Sequence, residues 1–411
     1  MRPRQKAVAL SVALAIALSP SAWAGARYKV LHSFGSGKDG YGPFGRPILD
    51  SKGNLYGVTG TGGTGQCSDY GCGTVFKLTP QANGSWKEAI VHDFTAGAGG
   101  AFPWGNLVID GSRNLYGTMS GYGSFAVGGV FNLVPGSGGW SYGVLYSDGA
   151  GPGLLMDGAG NLYGDMGPGQ YQGGAIGELS PGSGGWTYTQ LYSFDGTDGV
   201  DPPAPPIWDG KGNMFGTTSA GGIYSKSCFY YTRGCGVIFE MSPNGDGTWT
   251  YHVLHRFASF KNDGNTPYSG LSMDKSGSFY GATWAGGRYG QGTAYKLSYA
   301  DGKWKETILY DFPDCAYGCM VEGTLALDKS GNLYGTANGG TGDCGYSCGV
   351  VFKLSPQKDG KWKYSVVYDF TPEGGGYLPL YGVIVDDKGD LFGVTSGFGK
   401  YGGGTAFEIT P

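Results

Sequence analysis

An all-β, closed seven-bladed β-propeller is the fold class that this sequence predicts, and three observations predict it. One tetrapeptide recurs seven times, a Trp-to-Phe spacing recurs with it, and the two ends of the chain carry complementary pieces of a single repeat. Composition agrees. Of 411 residues, 84 are Gly and 60 are aromatic (10 Trp, 30 Tyr, 20 Phe). Collagen requires Gly at every third position, and disordered Gly-rich linkers have no rings to bury, so both are excluded.

The first 24 residues are expected to stand outside the fold. Arg2, Arg4 and Lys6 precede the apolar run Ala7 to Leu18, and Ala22-Trp23-Ala24 offers a small-x-small cleavage site, the pattern of a secretory signal peptide over residues 1–24. That run is too short to cross a bilayer, so no membrane span is expected after cleavage. Cleavage lowers Lys+Arg from 28 to 25 against 32 Asp+Glu, a net charge near −7, so no nucleic-acid partner is expected.

Within the repeat, the first element is a hairpin. The tetrapeptides are Asn54-Leu55-Tyr56-Gly57, Asn114 to Gly117, Asn161 to Gly164, Asn213-Met214-Phe215-Gly216, Ser278-Phe279-Tyr280-Gly281, Asn332 to Gly335 and Asp390-Leu391-Phe392-Gly393. An Asp stands four residues before each: Asp50, Asp110, Asp157, Asp209, Asp274, Asp328 and Asp386. In all but one copy a Gly directly precedes the tetrapeptide, and Asp-x-x-Gly between apolar stretches is a turn, with the carboxylate accepting backbone N–H bonds and Gly tolerating positive φ. Calcium ligation by these Asp residues is the rival reading. Arg113 takes the Gly place in the second copy, which predicts either a turn shifted to Gly111 or a strained residue.

The tetrapeptide reads as the second strand. A Gly-rich stretch follows, then a β-type run such as Gly73 to Leu78, Gly236 to Phe239 or Gly349 to Phe352, which is the third strand. Trp then stands eight residues before Phe in Trp86/Phe94, Trp186/Phe194, Trp249/Phe257, Trp304/Phe312 and Trp362/Phe370, with alternation between them that marks a fourth strand. Trp140 keeps the place, although Asp148 replaces its Phe.

Ring closure is expected because the mature chain begins with a fourth strand, residues 26–34, and ends with a third, residues 405–411. The blades are expected at about 41–94, 102–148, 150–194, 202–257, 267–312, 321–370 and 378–411 plus 26–34, in one domain over residues 25–411. Ala26 stands where the seventh Trp belongs, which predicts poorer packing there.

With Asp-x-x-Gly-Asn-Leu-Tyr-Gly, the Gly-Thr-Val-Phe-Lys-Leu run and the Trp-to-Phe strand assembled, the chain resembles the GloVer (Gloeo/Verruco) tandem-repeat family of secreted bacterial proteins over essentially its whole mature length. The resemblance implies an exported repeat protein, often carrying a separate C-terminal anchor. It implies no activity that transfers residue by residue.

In a propeller the first strand lines the channel and the fourth lies outside, so the tight first-to-second and third-to-fourth turns share one face. The long fourth-to-first and second-to-third connections share the other, where binding residues are expected. All eight Cys fall there. The pairs Cys67–Cys72, Cys228–Cys235, Cys315–Cys319 and Cys344–Cys348 read as local disulfides of an exported protein, with zinc held by Cys67, Cys72, Cys344 and Cys348 as the alternative. The candidate ligand-binding residues are the loop aromatics Tyr70, Trp104, Tyr122, Tyr230, Tyr231, Trp284, Tyr289 and Tyr346, suited to stacking on sugar rings or packing against a protein, or to sealing the face among themselves. Asp39, Asp198 and Asp263, in Asp-Gly-x-x-Pro, are expected at the channel mouth.

Catalysis finds little support. His32, His92 and His255 occupy the fourth-strand place where other blades have Tyr146, Tyr192, Tyr310 and Tyr368, so they read as packing residues rather than as bases or metal ligands. No nucleophile-elbow, zinc-protease or P-loop pattern occurs. Asp165, in place of the usual Thr after the third tetrapeptide, and Asp195, Asp198 and Asp201 in one loop are the acidic departures. The expectation is therefore a secreted, monomeric, non-catalytic binding or scaffold module with a carbohydrate or protein ligand and neither cofactor nor metal. The alternative is a carbohydrate-active enzyme, a polysaccharide lyase or glycoside hydrolase, using channel-mouth carboxylates.

Overall fold

A computed structural model describes residues 25–67, 69–95, 100–120, 128–167, 169, 173–226, 228, 233–342, 344, 348–371 and 375–411. The expected signal peptide and the candidates Tyr122, Tyr230, Tyr231 and Tyr346 lie outside the described residues. Seven four-stranded antiparallel sheets form the blades of a propeller. Blade 1, for example, runs Tyr41–Leu49, Leu55–Thr61, Thr74–Pro80 and Trp86–Asp93, paired in that order. Blade 7 takes Val383–Val385, Leu391–Thr395 and Thr405–Thr410 from the C-terminus and Arg27–Ser33 from the N-terminus.

The hairpin chemistry explains the first part of each repeat. Asp50 Oδ1 accepts the N–H groups of Lys52 and Asn54, each at 2.9 Å, while Oδ2 accepts Asn54 Nδ2 at 2.7 Å and the Tyr56 hydroxyl at 3.3 Å. The backbone part of this pattern recurs at all six other Asp residues. Burial alone would raise these carboxyls, yet the converging donors hold Asp50, Asp157, Asp209 and Asp274 below the usual carboxylate range. Their lone pairs are spent on the turn, which is the structural role. In the second copy the turn does not shift: Arg113 takes φ 69° and donates its N–H to the Asp110 carbonyl as Gly53 does to Asp50.

Tetrapeptide Gly57 is opposite Phe76 on the third strand, and a Cβ there would lie 2.5 Å from the Phe ring. The same Gly-under-Phe pair recurs in blades 2, 4, 6 and 7, because the ring must lie flat over the second strand to reach the neighbouring blade. Between successive blades sit seven apolar clusters, one at each joint including that between blades 7 and 1, where Leu31 and Phe34 pack with Leu55, Phe76 and Phe392. Ring closure thus rests on burial as well as on the N-terminal strand.

The fourth strands carry two further contacts around the ring. In blades 1, 3, 4, 5 and 6 the Trp meets the second-strand aromatic of the preceding blade, as in Trp86 with Phe392 and Trp186 with Tyr116. At the joint of blades 6 and 7, Ala26 is what lies in the Tyr334 cluster instead. Six residues after the Trp, a Tyr or His stacks on the Tyr that stands two after the next blade's Trp: His92/Tyr142, Tyr146/Tyr188, Tyr192/Tyr251 and Tyr310/Tyr364, with Tyr368/Tyr28 following the same rule.

First strands are shorter than the repeat implies in blades 3 to 6, with two residues each (Leu155–Met156, Ile207–Trp208, Ser272–Met273, Ala326–Leu327). In blades 3 and 4 the preceding segments contain Pro152 and the run Pro202-Pro203-Ala204-Pro205-Pro206, where Pro has no N–H for a ladder.

Candidate functional site

A cavity of about 850 Å³ opens at the channel mouth on the long-loop face. Every blade reaches it, through Phe44, Trp104, Asp165, Pro203, Tyr268, Glu322 and Tyr381 for blades 1 to 7 in turn. Its inner wall is narrow because neighbouring first strands touch backbone to backbone: a Cβ on Gly45 would fall 2.2 Å from the Gly105 carbonyl oxygen, and one on Gly323 would fall 2.1 Å from Gly382 N.

One arc of the wall is aromatic. Phe44 packs on Tyr381 with centroids 4.4 Å apart and lies 6.4 Å from Trp104, whose indole N–H donates to the Ala150 carbonyl at 3.2 Å. Another arc is acidic, formed by Asp148, Asp165 and Asp201, while Glu322 stands on blade 6 beside Tyr268 of blade 5. Burial, and then the nearby Asp201 charge, push the Asp165 carboxyl up to about 7, although it accepts the Ala175 N–H at 3.0 Å. Glu322 is also raised by burial, against donors from Asn338 and Trp284. Asp201 pairs with Arg233. Its backbone, at φ 53°, donates to the Gly173 carbonyl and accepts the Ser219 N–H, each at 3.0 Å, a latch between blades that fixes where its carboxylate stands.

Of the residues chosen from sequence, Trp104 lines the cavity and Trp284 adjoins it through Glu322 and through the Tyr268 ring 6.4 Å away. Tyr70 and Tyr289 are exposed, 71% and 50%, with Arg288 over the Tyr289 ring. Asp39, Asp198 and Asp263 are not among the residues that line this cavity. Each folds back to cap the chain leaving the preceding blade's fourth strand: Asp39 accepts the Gly35 N–H at 3.1 Å, Asp198 the Asp195 N–H at 3.0 Å and Asp263 the Ser259 N–H at 2.9 Å. Three residues separate each from the Pro that follows it, and the carboxylate turns back toward the chain it caps. Phe44, Tyr268, Glu322 and Tyr381 were missed. Their signal was a position, the residue just before the closely packed Gly or Ser in or ahead of the first strand.

The four local disulfides are present and no described Cys is free, so the thiolate-zinc alternative has no ligands. Among the described residues no helix is long and apolar enough to cross a membrane.

The Gloeobacter/Verrucomicrobia repeat matches residues 18–230 and 227–411. No curated protein matches. Among solved structures, an ancestral GH74 enzyme superposes with a TM-score of 0.56 at 11% identity, over 90% of this chain and 48% of its own, so this chain spans about half of it. A putative 6-phosphogluconolactonase from Bacteroides uniformis gives 0.48 at 10% identity, over 79% and 86%, and the soluble aldose sugar dehydrogenase from Escherichia coli gives 0.44 at 12%, over 94% and 100%. At these identities the first likeness concerns the fold alone.

Proposed function

We propose that this chain, which belongs to the Gloeobacter/Verrucomicrobia repeat family, is an exported binding module that takes a carbohydrate into the seven-sided channel mouth. One observation carries the reading: a single cavity in which the aromatic arc Tyr381, Phe44 and Trp104 is continued round the rim by Asp165 and Asp201. Sugars present an apolar ring face and a rim of hydroxyls, and this pairing of flat rings with a few polar groups suits both. Asp165, protonated below about pH 7, is able to donate to a sugar oxygen, while Asp201, paired with Arg233, offers acceptor oxygens. Export is supported by the four disulfides, which persist in oxidising compartments.

A glycan array followed by calorimetry tests the proposal. Trp104→Ala and Asp165→Asn are each expected to weaken binding at least tenfold, while Tyr70→Ala on the outer rim leaves it unchanged. No bound glycan, or affinity indifferent to both mouth substitutions, overturns it. Sugar release from a polysaccharide that disappears in Asp165→Asn would replace it with the hydrolase or lyase reading.

A further inference from the structure

The joint between blades 4 and 5 departs from the ring's aromatic rule. Where five other joints stack two rings, this one sets His255 against Glu306. A third change coincides with these two: the residue opposite the tetrapeptide Gly is Phe in five other blades and Tyr295 here. Asp263 completes the group. Tyr295 adds a hydroxyl where five other blades hold only carbon, and Glu306 puts a carboxyl where five other joints put a phenol ring.

The geometry is compact. His255 Nε2 is 3.3 Å from Asp263 Oδ2 and 3.7 Å from Glu306 Oε2, and the three ligand atoms all lie within 4.8 Å of one another. Side-chain exposure is 10%, 0% and 1% for His255, Asp263 and Glu306. His255 Nε2, Asp263 Oδ1, both Glu306 carboxylate oxygens and the Tyr295 hydroxyl make no hydrogen bond. Glu306 is removed from water without a donor and Asp263 is served on Oδ2 alone, by Ser259, so the pair is costly as it stands.

We infer that this joint holds a divalent cation of the zinc class, bound by His255 Nε2, Asp263 and Glu306 and tying blade 4 to blade 5. Bonds of about 2.1 Å in a tetrahedral site place ligand atoms roughly 3.4 Å apart, which the two His255 distances match. Imidazole with carboxylates is a donor set for such a metal, and it would engage the orphaned nitrogen and oxygens together. A proton shared between the two carboxyls would leave His255 Nε2 and further oxygens unsatisfied. The same residue types recur where blades 7 and 1 meet: His32 Nε2 lies 3.1 Å from Asp39, and Glu88 Oε1 is buried without a partner. The two Glu that replace the stacking Tyr thus each accompany a His and an Asp.

The test compares the full chain with Glu306→Gln and with the double variant His255→Tyr/Glu306→Tyr. The double variant rebuilds the neighbouring joint, where Tyr192, Asp198 and Tyr251 stack and bond, so folding is safeguarded. Chelator-stripped proteins are titrated with Zn²⁺ by calorimetry and thermal melting. The expected result is a saturable Zn²⁺ equivalent and a Tm raised by several degrees in the native chain, with that equivalent and its Tm gain lost in both variants. No heat and no Tm shift in the native chain, or a shift unchanged in the double variant, overturns the inference. So does an infrared carboxylic-acid band that Zn²⁺ fails to displace and Glu306→Gln removes.

Discussion

The imidazole of His92 lies parallel to the ring of Tyr142 across the joint of blades 1 and 2, with centroids 4.1 Å apart and planes 5° from coplanar orientation. The two residues sit on fourth strands of different blades, and the contact is one turn of a pattern that runs round the outside of the ring.

Burial holds His92 below the ordinary imidazole value, so the stack is built for the neutral ring. A depressed folded pKa means that stability is full above the unfolded value near 6.5 and is lost as pH falls through the folded one. His92→Tyr, which copies Tyr192/Tyr251, is expected to leave the denaturation midpoint near its native value at pH 8 and raise it at pH 5. Chemical denaturation at the two pH values checks the sign. Tyr142→Ala is expected to cost about 3 kcal/mol at both.

Asp165 carries the opposite sign. Its folded pKa, about 7, stands above the unfolded value near 4, so its contribution is full below pH 4 and falls as pH rises to 7. The slope it adds approaches about 1.4 kcal/mol per pH unit at most. Asp165→Asn is expected to flatten the stability profile between pH 5 and 7, as read from urea midpoints. A profile that keeps its slope would place the titration elsewhere.

Gly57 is covered by the Phe76 ring, so Gly57→Ala is expected to destabilise by about 2 kcal/mol or more, within the range for overpacking. Tyr56→Phe, which removes only the hydroxyl bond to Asp50, is expected to cost about 1 kcal/mol. Equal costs in a guanidinium melt would contradict the assigned contacts.

Ala26 leaves the seventh Trp place unfilled beside Tyr334. Ala26→Trp is therefore expected to raise the Tm by a few degrees, since the same contact already exists at blades 1, 3, 4, 5 and 6. Deleting residues 26–34 removes the outer strand of blade 7 and buried Phe34, and it is expected to abolish cooperative unfolding as followed by circular dichroism.

Much of this molecule is legible residue by residue because its chemistry is local. Asp50 bonds Asn54 only four residues away, and the cysteine partners stand no more than seven apart. The Trp-to-Phe spacing, eight residues long, lies within one strand and the residue that follows it. Blade number and ring closure follow from such units, since a four-stranded sheet with two apolar faces must bury both against copies of itself.

Contacts between blades obey a different length scale. Asp39, Asp198 and Asp263 look like mouth residues along the chain, yet each carboxylate turns back toward the chain it caps. Tyr381 meets Phe44 only because the ring closes, and His255 meets Glu306 because the spacing of neighbouring blades brings two outer strands alongside. Hydrogen bonding inside a hairpin is settled by a few neighbouring dihedral angles, so the amino-acid order sufficed for blades, turns and bridges. Which carboxyls lose their water, and which face a ring or one another, depends on how seven sheets pack around a common axis, and only the folded ring decided it.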